Sequence, residues 1–183
     1  MAPPLKISRE SVIEGGYRLI LSDGLENLNC RNIAKLLGCS TQPVFSRFPN
    51  MEELKRAVFV YACEKLETSI AESSAEDSCF RSAYTKLFHL AREEKNIFRL
   101  IFLSTNHREA TFLKERLSYR TNQRILDEFM EKYQLDREKA EDLLERLSLF
   151  IHGIAVVLAT TTMDYSDEKI HEMVEKTIKD MAG

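Results

Sequence analysis

Tryptophan is missing from this sequence, and helix-breaking residues are scarce: the chain has four prolines and six glycines among 183 residues. Because proline interrupts helices and glycine weakens them, this scarcity permits long helices along most of the chain. No stretch alternates apolar and polar residues over the length of a strand, which argues against a sheet. The composition, 44% hydrophobic and 30% charged, is typical of a soluble globular protein. The sequence therefore predicts an all-α fold of about nine helices.

Cysteine is sparse as well. Cys30, Cys39, Cys63 and Cys79 show no C-x-x-C spacing, which favours free thiols in a reducing cytosol over a disulfide framework. A thiol-based redox sensor is the alternative interpretation. The first residues lack the apolar core of a secretion signal, and the longest uncharged run, residues 147–163, is too short and too polar to span a membrane. We therefore expect a cytoplasmic protein that does not enter a membrane.

The sequence motifs of common enzyme classes are also absent. There is no G-x-S-x-G nucleophile turn, no phosphate-binding glycine loop, no G-x-G-x-x-G and no H-E-x-x-H. The four histidines, His89, His107, His152 and His171, have no spacing typical of metal ligands. We therefore expect no enzymatic activity, no cofactor and no bound metal.

Charge is unevenly distributed between the two parts of the chain. Residues 1–60 carry eight Lys/Arg against six Asp/Glu, a balance of +2, whereas residues 61–183 carry eighteen against twenty-three, a balance of −5. A slightly basic N-terminal part on an acidic body fits a protein that reads DNA at one end. Since the excess is small, the attraction to phosphates should be modest and strongly dependent on salt.

The stretch from residue 28 to residue 54 has the signals of two short helices joined by a tight turn. Asn29 and Ser40 can each cap a helix, and Gly38 supplies the left-handed residue that the turn between them needs. Apolar residues recur at helical spacing on one side of each segment. Two helices in this arrangement form a helix-turn-helix, which usually places its second helix in the major groove of DNA.

This arrangement resembles the TetR (tetracycline-repressor) family of bacterial transcriptional regulators over residues 7–60. The residues that carry the resemblance follow the family pattern G…LT…IA…GVS…LYxHFxxKxxL: Gly24, Leu28, Asn29, Ile33, Ala34, Gly38, Cys39, Ser40, Val44, Phe45, Phe48, Pro49 and Leu54. The resemblance implies an N-terminal helix-turn-helix domain, residues 1–50, and a C-terminal helical bundle for ligand binding and dimerisation, residues 51–183.

Four positions depart from the family pattern. Asn29 stands in place of Thr, and Phe45 in place of a Tyr whose hydroxyl reaches a phosphate. Met51 replaces a Lys at the start of the fourth helix and removes another phosphate partner. Arg47 replaces a His and carries a permanent charge, which partly compensates. These changes leave DNA binding as the expected function and alter the expected backbone contacts.

The expected DNA contacts come from both helices of the motif. Gln42, which is suited to adenine, lies with Thr41 and Ser46 where base edges or phosphates are within reach. Val44 and Phe45 are expected to be partly core, so that their removal would unfold the N-terminal domain. Helix N-termini at Asn29 and Ser40 add N–H donors for phosphate. The full predicted set is Asn29, Arg31, Ser40, Thr41, Gln42, Val44, Phe45, Ser46, Arg47 and Lys55, of which Asn29, Arg31, Arg47 and Lys55 set register on phosphates.

The helix predicted over residues 136–162 is apolar nearly all round beyond Arg146, which implies burial on more than one side. With the helix predicted over residues 167–181, it would meet its copies in a four-helix interface of a twofold dimer. The alternative is that the two helices only close the core of the monomer. The predicted interface residues are Leu147, Phe150, Ile154, Leu158, Ile170, Val174 and Ile178. The other predicted helices span residues 8–22, 51–74, 78–95, 96–103 and 108–133.

Aromatic residues are concentrated in the middle third of the chain. They predict an apolar cavity for a small, mostly apolar effector, although they also fit an ordinary core. The predicted lining is Phe88, His89, Phe98, Phe102, Tyr119 and His152. Together these features predict a ligand-responsive DNA-binding regulator, most simply a repressor, that binds a palindromic operator as a homodimer. The alternatives are a helical module that acts through protein contacts after loss of DNA binding, and the redox sensor.

Overall fold

The computed structural model describes residues 7–75, 78–104, 119–162 and 165–182, without the side chain of Tyr119. Every regular element in these ranges is helical, which confirms the all-α prediction. A short 3-10 turn, Leu25–Asn27, follows the first helix. The helices are α1 Arg9–Asp23, α2 Cys30–Leu36, α3 Thr41–Arg47, α4 Met51–Ser73, α5 Cys79–Glu93, α6 Lys95–Phe98 with a π-helical continuation Arg99–Leu103, α7 Tyr119–Tyr133, α8 Arg137–Thr160 and α9 Asp167–Ala182.

The helices gather into two compact units. The first comprises residues 1–65 with residues 94–104, and the second comprises residues 66–93 with residues 105–183. Helix α4 continues without a break through the division at residue 65. The predicted domain boundary between residues 50 and 51 stays a prediction.

Helix α1 provides the packing platform of the first unit. It begins with a capping box in which the Ser8 hydroxyl oxygen accepts from the Ser11 amide at 3.1 Å and the Ser11 hydroxyl oxygen accepts from the Ser8 amide at 3.0 Å. Gly16 allows α4 to approach closely, because a Cβ at that position would lie 2.8 Å from Cγ2 of Val58. The core beside it is fully buried and consists of Val12, Ile20, Ile33, Val44, Leu54 and Val58.

The segment that begins at Glu94 belongs to the first unit and contacts α1. The Asn96 side-chain amide donates to the carbonyl oxygen of Leu21 at 3.2 Å. Burial and the negative charge of Glu94 raise the pKa of Tyr17, on α1, to about 12. The Tyr17 ring meets the Tyr61 ring of α4 edge-to-face at 5.4 Å between centroids. Polar and aromatic contacts therefore connect α1 to both α4 and the start of α6.

The second unit is built around aromatic contacts between α5 and α7. The Phe80 ring lies 5.4 Å from the Tyr84 ring and 5.0 Å from the Phe129 ring, and Tyr84 continues the row to Phe88 at 5.6 Å. Helix α8 is capped by Asp136, whose carboxylate accepts from the amide of Lys139 at 2.9 Å. Of the helix predicted over residues 108–133, residues 108–118 lie outside the described ranges.

Candidate functional site

Helices α2 and α3 form the predicted helix-turn-helix. The Asn29 side-chain oxygen caps α2 by accepting from the amide of Asn32 at 2.9 Å. Gly38 has a φ of 65°, the left-handed conformation that the turn requires. The amide of Cys39 donates to the carbonyl of Ala34 at 2.9 Å and closes the turn. The Asn29 cap and the turn glycine therefore lie where the sequence predicts them, whereas Ser40 occupies the N-cap position of α3 without a side-chain hydrogen bond to the helix.

Helix α3 has one anchoring face and one exposed face. Val44 and Phe48, four residues apart, are 0% and 3% exposed and hold the helix in the core. Phe45 on the other face is 58% exposed. The expectation that Phe45 is partly core is therefore wrong, because its ring points outward and its removal leaves no cavity. Gln42, Ser46 and Arg47 are also exposed, and Thr41 is half-buried.

Several predicted contact residues already hold partners within the protein. The Ser46 hydroxyl donates to the carbonyl of Pro43 at 2.8 Å. The Asn29 amide group donates to the carbonyl of Asn27 at 3.2 Å while its oxygen caps α2. Lys55 forms an ion pair with Glu52 at 2.9 Å. These bonds use one N–H of the Asn29 amide group and one of the Lys55 ammonium, so both groups keep donors for a phosphate, and their predicted roles stay predictions.

Two guanidinium groups meet at the C-terminal end of α3. The Nε of Arg47 donates to the carbonyl of Ile7 at 3.1 Å, and the Nη1 of Arg9 donates to the carbonyl of Arg47 at 3.1 Å. The Arg9 guanidinium also lies 4.1 Å from the centroid of the Phe48 ring. Sequence reasoning missed Arg9, since its distance along the chain hides its place beside α3. It adds a second permanent charge to the one predicted at Arg47.

The N-terminal end of α2 is less polar than the family pattern suggests. The Sγ of Cys30 lies 3.4 Å from the Sδ of Met51, the residue that replaces the family lysine. Burial raises the pKa of the Cys30 thiol, and burial is also the main cause of the raised pKa of Cys79. Both thiols are therefore protonated at neutral pH, whereas the thiolate is the form that reacts with oxidants. Arg31, on the same helix, is exposed and carries the local positive charge.

The residues predicted to line an effector cavity are divided between the two units. Phe98 and Phe102 lie in the first unit with ring centroids 5.4 Å apart, and both are buried. Phe88 is buried in the aromatic row of the second unit, where His152 is half-buried. His89 is exposed, so its predicted place inside a cavity is wrong; it lies on the outer side of α5. The Tyr119 side chain lies outside the described part of the chain, and a shared cavity stays a prediction.

Most of the predicted dimer residues lie inside the protomer. Leu147, Leu158, Ile170, Val174 and Ile178 are each 5% exposed or less, because α8 and α9 bury them within their own chain. These five residues therefore close the monomer core, as the alternative interpretation held. Phe150 and Ile154 remain half-buried on α8.

A second apolar face of α8 is left open. Leu149 is 54% exposed, and a Cβ built on Gly153 would meet nothing within 4 Å. Only 33% of the most apolar stretch of α8 is buried within the protomer. This helix is long and apolar enough to cross a membrane, but core helices of soluble proteins often have the same length and composition. We define the α8 face as Leu149, Phe150, Gly153, Ile154 and Val157.

Comparison with known proteins agrees with the helix-turn-helix. No family model matches the sequence. Over 70 residues the chain is 29% identical to an uncharacterized HTH-type transcriptional regulator of Mycobacterium tuberculosis, a match that covers 38% of this chain and 32% of that protein. A solved structure titled as a putative transcriptional regulator TetR family protein from Vibrio parahaemolyticus superposes with a TM-score of 0.59 and 15% identity, over 94% of this chain and 97% of that one.

This chain has the TetR-type fold. The superposition extends over both compact units, whereas the sequence resemblance covers only residues 7–60. The resemblance seen in the sequence is thus confirmed for the fold of the whole chain. The match covers only about a third of the length of the curated relative, so it does not show that this chain shares the activity of that whole protein.

Proposed function

We propose that this chain is a DNA-binding transcriptional regulator that binds a palindromic operator as a homodimer. The observation that carries the proposal is the division of α3 into two faces. Val44 and Phe48 anchor it, while Gln42, Phe45 and Arg47 project outward. A short helix held by its core face and lined outside by base-reading and cationic side chains is suited to a major groove. The TetR-type fold and the name of the curated relative support the same function.

Selection from random duplex DNA with the full-length protein tests this function. We expect enrichment of an inverted repeat whose half-site centres are one helical turn, about 34–36 Å, or a multiple of it apart. Affinity should fall steeply with salt, because phosphate contacts release counterions. Enrichment of no sequence over the input library would contradict the proposal.

The α8 face supports the dimeric part of the proposal. It is a continuous apolar strip, and Gly153 at its centre allows close approach of another helix. A symmetric pair of such faces buries the same surface twice in a twofold dimer. We therefore move the proposed interface from the buried residues to Leu149, Phe150, Gly153, Ile154 and Val157.

A small effector and a repressing output complete the proposal. A mostly apolar molecule that binds one spacing of the two α3 helices better than another would shift the protein between DNA-binding and released states. A thermal-shift screen of apolar compounds on the full-length protein, followed by competition with operator DNA, tests this part. A compound that stabilises the protein and weakens operator binding is the expected result. A reporter gene behind the operator then separates repression from activation.

A second candidate function, docking to another protein, is favoured by the exposed apolar residues Leu36 and Phe45, which are 50% and 58% exposed. Met51 also favours docking to a protein, since it stands in place of the family lysine and so removes a positive charge that would contact phosphate. The two functions differ in their response to DNA. A docking module would show no sequence enrichment and no salt-dependent affinity for duplex DNA.

A further inference from the structure

We propose that Phe45 recognises thymine in the operator through the C5-methyl group and so sets part of the sequence specificity. This inference rests on the proposed DNA-binding function and names a feature of the DNA partner. Phe45 is the large apolar side chain that α3 exposes, at 58%. In the major groove the thymine methyl is the apolar group that base pairs offer, and phenylalanine contacts it by apolar burial.

The position of Phe45 on the helix directs it at base edges. Val44 and Phe48 hold one side of α3 in the core, and Phe45 lies beside that side, turned by about 100° from Val44 toward Gln42. Gln42 precedes Phe45 by three residues, which places the two side chains on the same face of a helix, about 5–6 Å apart at Cβ. That separation corresponds to between one and two base-pair steps of about 3.4 Å along the axis. The two side chains therefore address neighbouring base pairs.

Two neighbouring side chains are partly engaged within the protein. The Ser46 hydroxyl donates to the carbonyl of Pro43, and the Arg47 Nε is held by the carbonyl of Ile7. Gln42 can pair with adenine N6 and N7, while Phe45 has no hydrogen-bonding group and cannot bond to a phosphate. An A·T pair presents adenine N7 and the thymine methyl together in the major groove. The inferred half-site therefore contains A·T pairs under residues 42–45.

Replacement of thymine by deoxyuridine isolates the methyl group. After selection of the operator with the full-length protein, each thymine of the half-site is replaced symmetrically by deoxyuridine, and Kd is measured by fluorescence anisotropy at fixed salt. At one position we expect roughly a fourfold loss per half-site, or about 15-fold for both, the effect of one buried methyl group. Phe45→Ala should bind the methylated operator more weakly and lose no more than about twofold on the same replacement.

Two control variants separate the methyl contact from other roles. Phe45→Tyr keeps the ring and should keep the response to deoxyuridine. Arg47→Ala should weaken binding and lower its salt dependence while keeping that response. Three results would overturn the inference while leaving specific binding intact. They are a half-site without thymine, equal affinity of the native protein for every deoxyuridine operator, and a loss of affinity on deoxyuridine replacement that is the same in Phe45→Ala as in the native protein. Absence of any specific binding would instead reject the proposed function and this inference with it.

Discussion

At the level of single residues, neighbours on α3 have opposite roles. Val44 is fully buried and Phe45 is largely exposed, although both are apolar and adjacent. The helix turns each successive side chain by about 100°, so one apolar residue packs against the core while the next faces solvent. Affinity and stability should therefore respond to different residues of the same seven-residue helix.

Alanine substitution should separate these two roles. Val44→Ala removes two buried carbons and should lower the free energy of unfolding by about 2 kcal/mol. Phe45→Ala should change it by no more than about 0.5 kcal/mol, because it removes an exposed ring. Urea unfolding followed by circular dichroism measures both. A larger loss in Phe45→Ala than in Val44→Ala would show that the ring is buried in solution.

The exposed polar residues of α3 should differ in what they read. Gln42→Ala should cost about 1–3 kcal/mol at the base that Gln42 contacts and little elsewhere. Arg47→Ala should weaken binding to all sequences and reduce the salt slope by about one, as expected for a phosphate contact. Arg18→Ala, on α1, is the matched control for loss of one exposed arginine. Equal losses on operator and random DNA for Gln42→Ala would exclude Gln42 from base reading.

Among the helical elements, the N-terminus of α5 is capped by the carboxylate of Glu128, a residue of α7. The Glu128 side chain accepts from the amide of Cys79 at 2.9 Å, from the amide of Phe80 at 3.3 Å and from the Ser78 hydroxyl. A carboxylate at a helix N-terminus satisfies free N–H groups and interacts favourably with the helix dipole. Glu128 thereby joins two helices that also share the contact between Phe80 and Phe129.

Loss of this cap should destabilise the second unit. Glu128→Ala leaves two amide groups without their acceptor and should cost about 1–3 kcal/mol of unfolding free energy. Glu131→Ala, on the same helix and exposed, should cost no more than about 0.5 kcal/mol. Chemical denaturation of both variants beside the native protein provides the measurement. Indistinguishable midpoints would mean that solvent satisfies the α5 amides equally well.

The contact between α1 and the segment that begins at Glu94 should contribute less to stability at high pH. Burial and Glu94 raise the pKa of Tyr17 from 10.0 to about 12 in the folded protein. Between these values the unfolded chain loses the phenolic proton while the folded protein keeps it, so stability present below pH 10 is lost as pH rises toward 12. Tyr17→Phe lacks this loss. The free energy of unfolding of the native protein minus that of Tyr17→Phe should decrease from pH 9 through 10.5 to 11.5, and a constant difference would refute the linkage.

At the level of the whole molecule, assembly should depend on the α8 face and not on the residues buried inside the protomer. Leu149→Glu places a charge on a side chain that is 54% exposed in the protomer, so the monomer should fold while the dimer dissociates. Leu36→Glu, at a side chain 50% exposed on α2, is the matched control and should stay dimeric. Light scattering after size-exclusion chromatography gives the mass. A dimeric Leu149→Glu protein would place the interface elsewhere.

The sequence predicts the helices and the motif well because their signals are local. Ser8, Asn29, Gly38 and Asp136 act on backbone groups within a few residues, so their caps and turn are visible without a fold. The TetR resemblance adds the order of the helices, which the superposition confirms over 94% of the chain.

Contacts between distant residues are what the sequence leaves hidden. Helical periodicity shows that α8 is apolar, but it does not show which apolar side its own chain covers. Ile170 and Val174 thus looked like interface and are core. Nothing in the sequence around His171 shows its partner, yet its Nδ1 lies 3.0 Å from the Tyr84 hydroxyl across 87 residues of sequence. Arg9 beside Arg47 is hidden for the same reason.

The bond from Arg47 to the carbonyl of Ile7 has a practical consequence for anyone who purifies this protein. A tag fused ahead of Met1 is separated by six residues from Ile7, which contacts α3. An affinity tag there would compete with the duplex for space and, if rich in histidine, would alter the local charge. Failure of such a preparation to shift a DNA probe should therefore be retested after the tag has been cleaved.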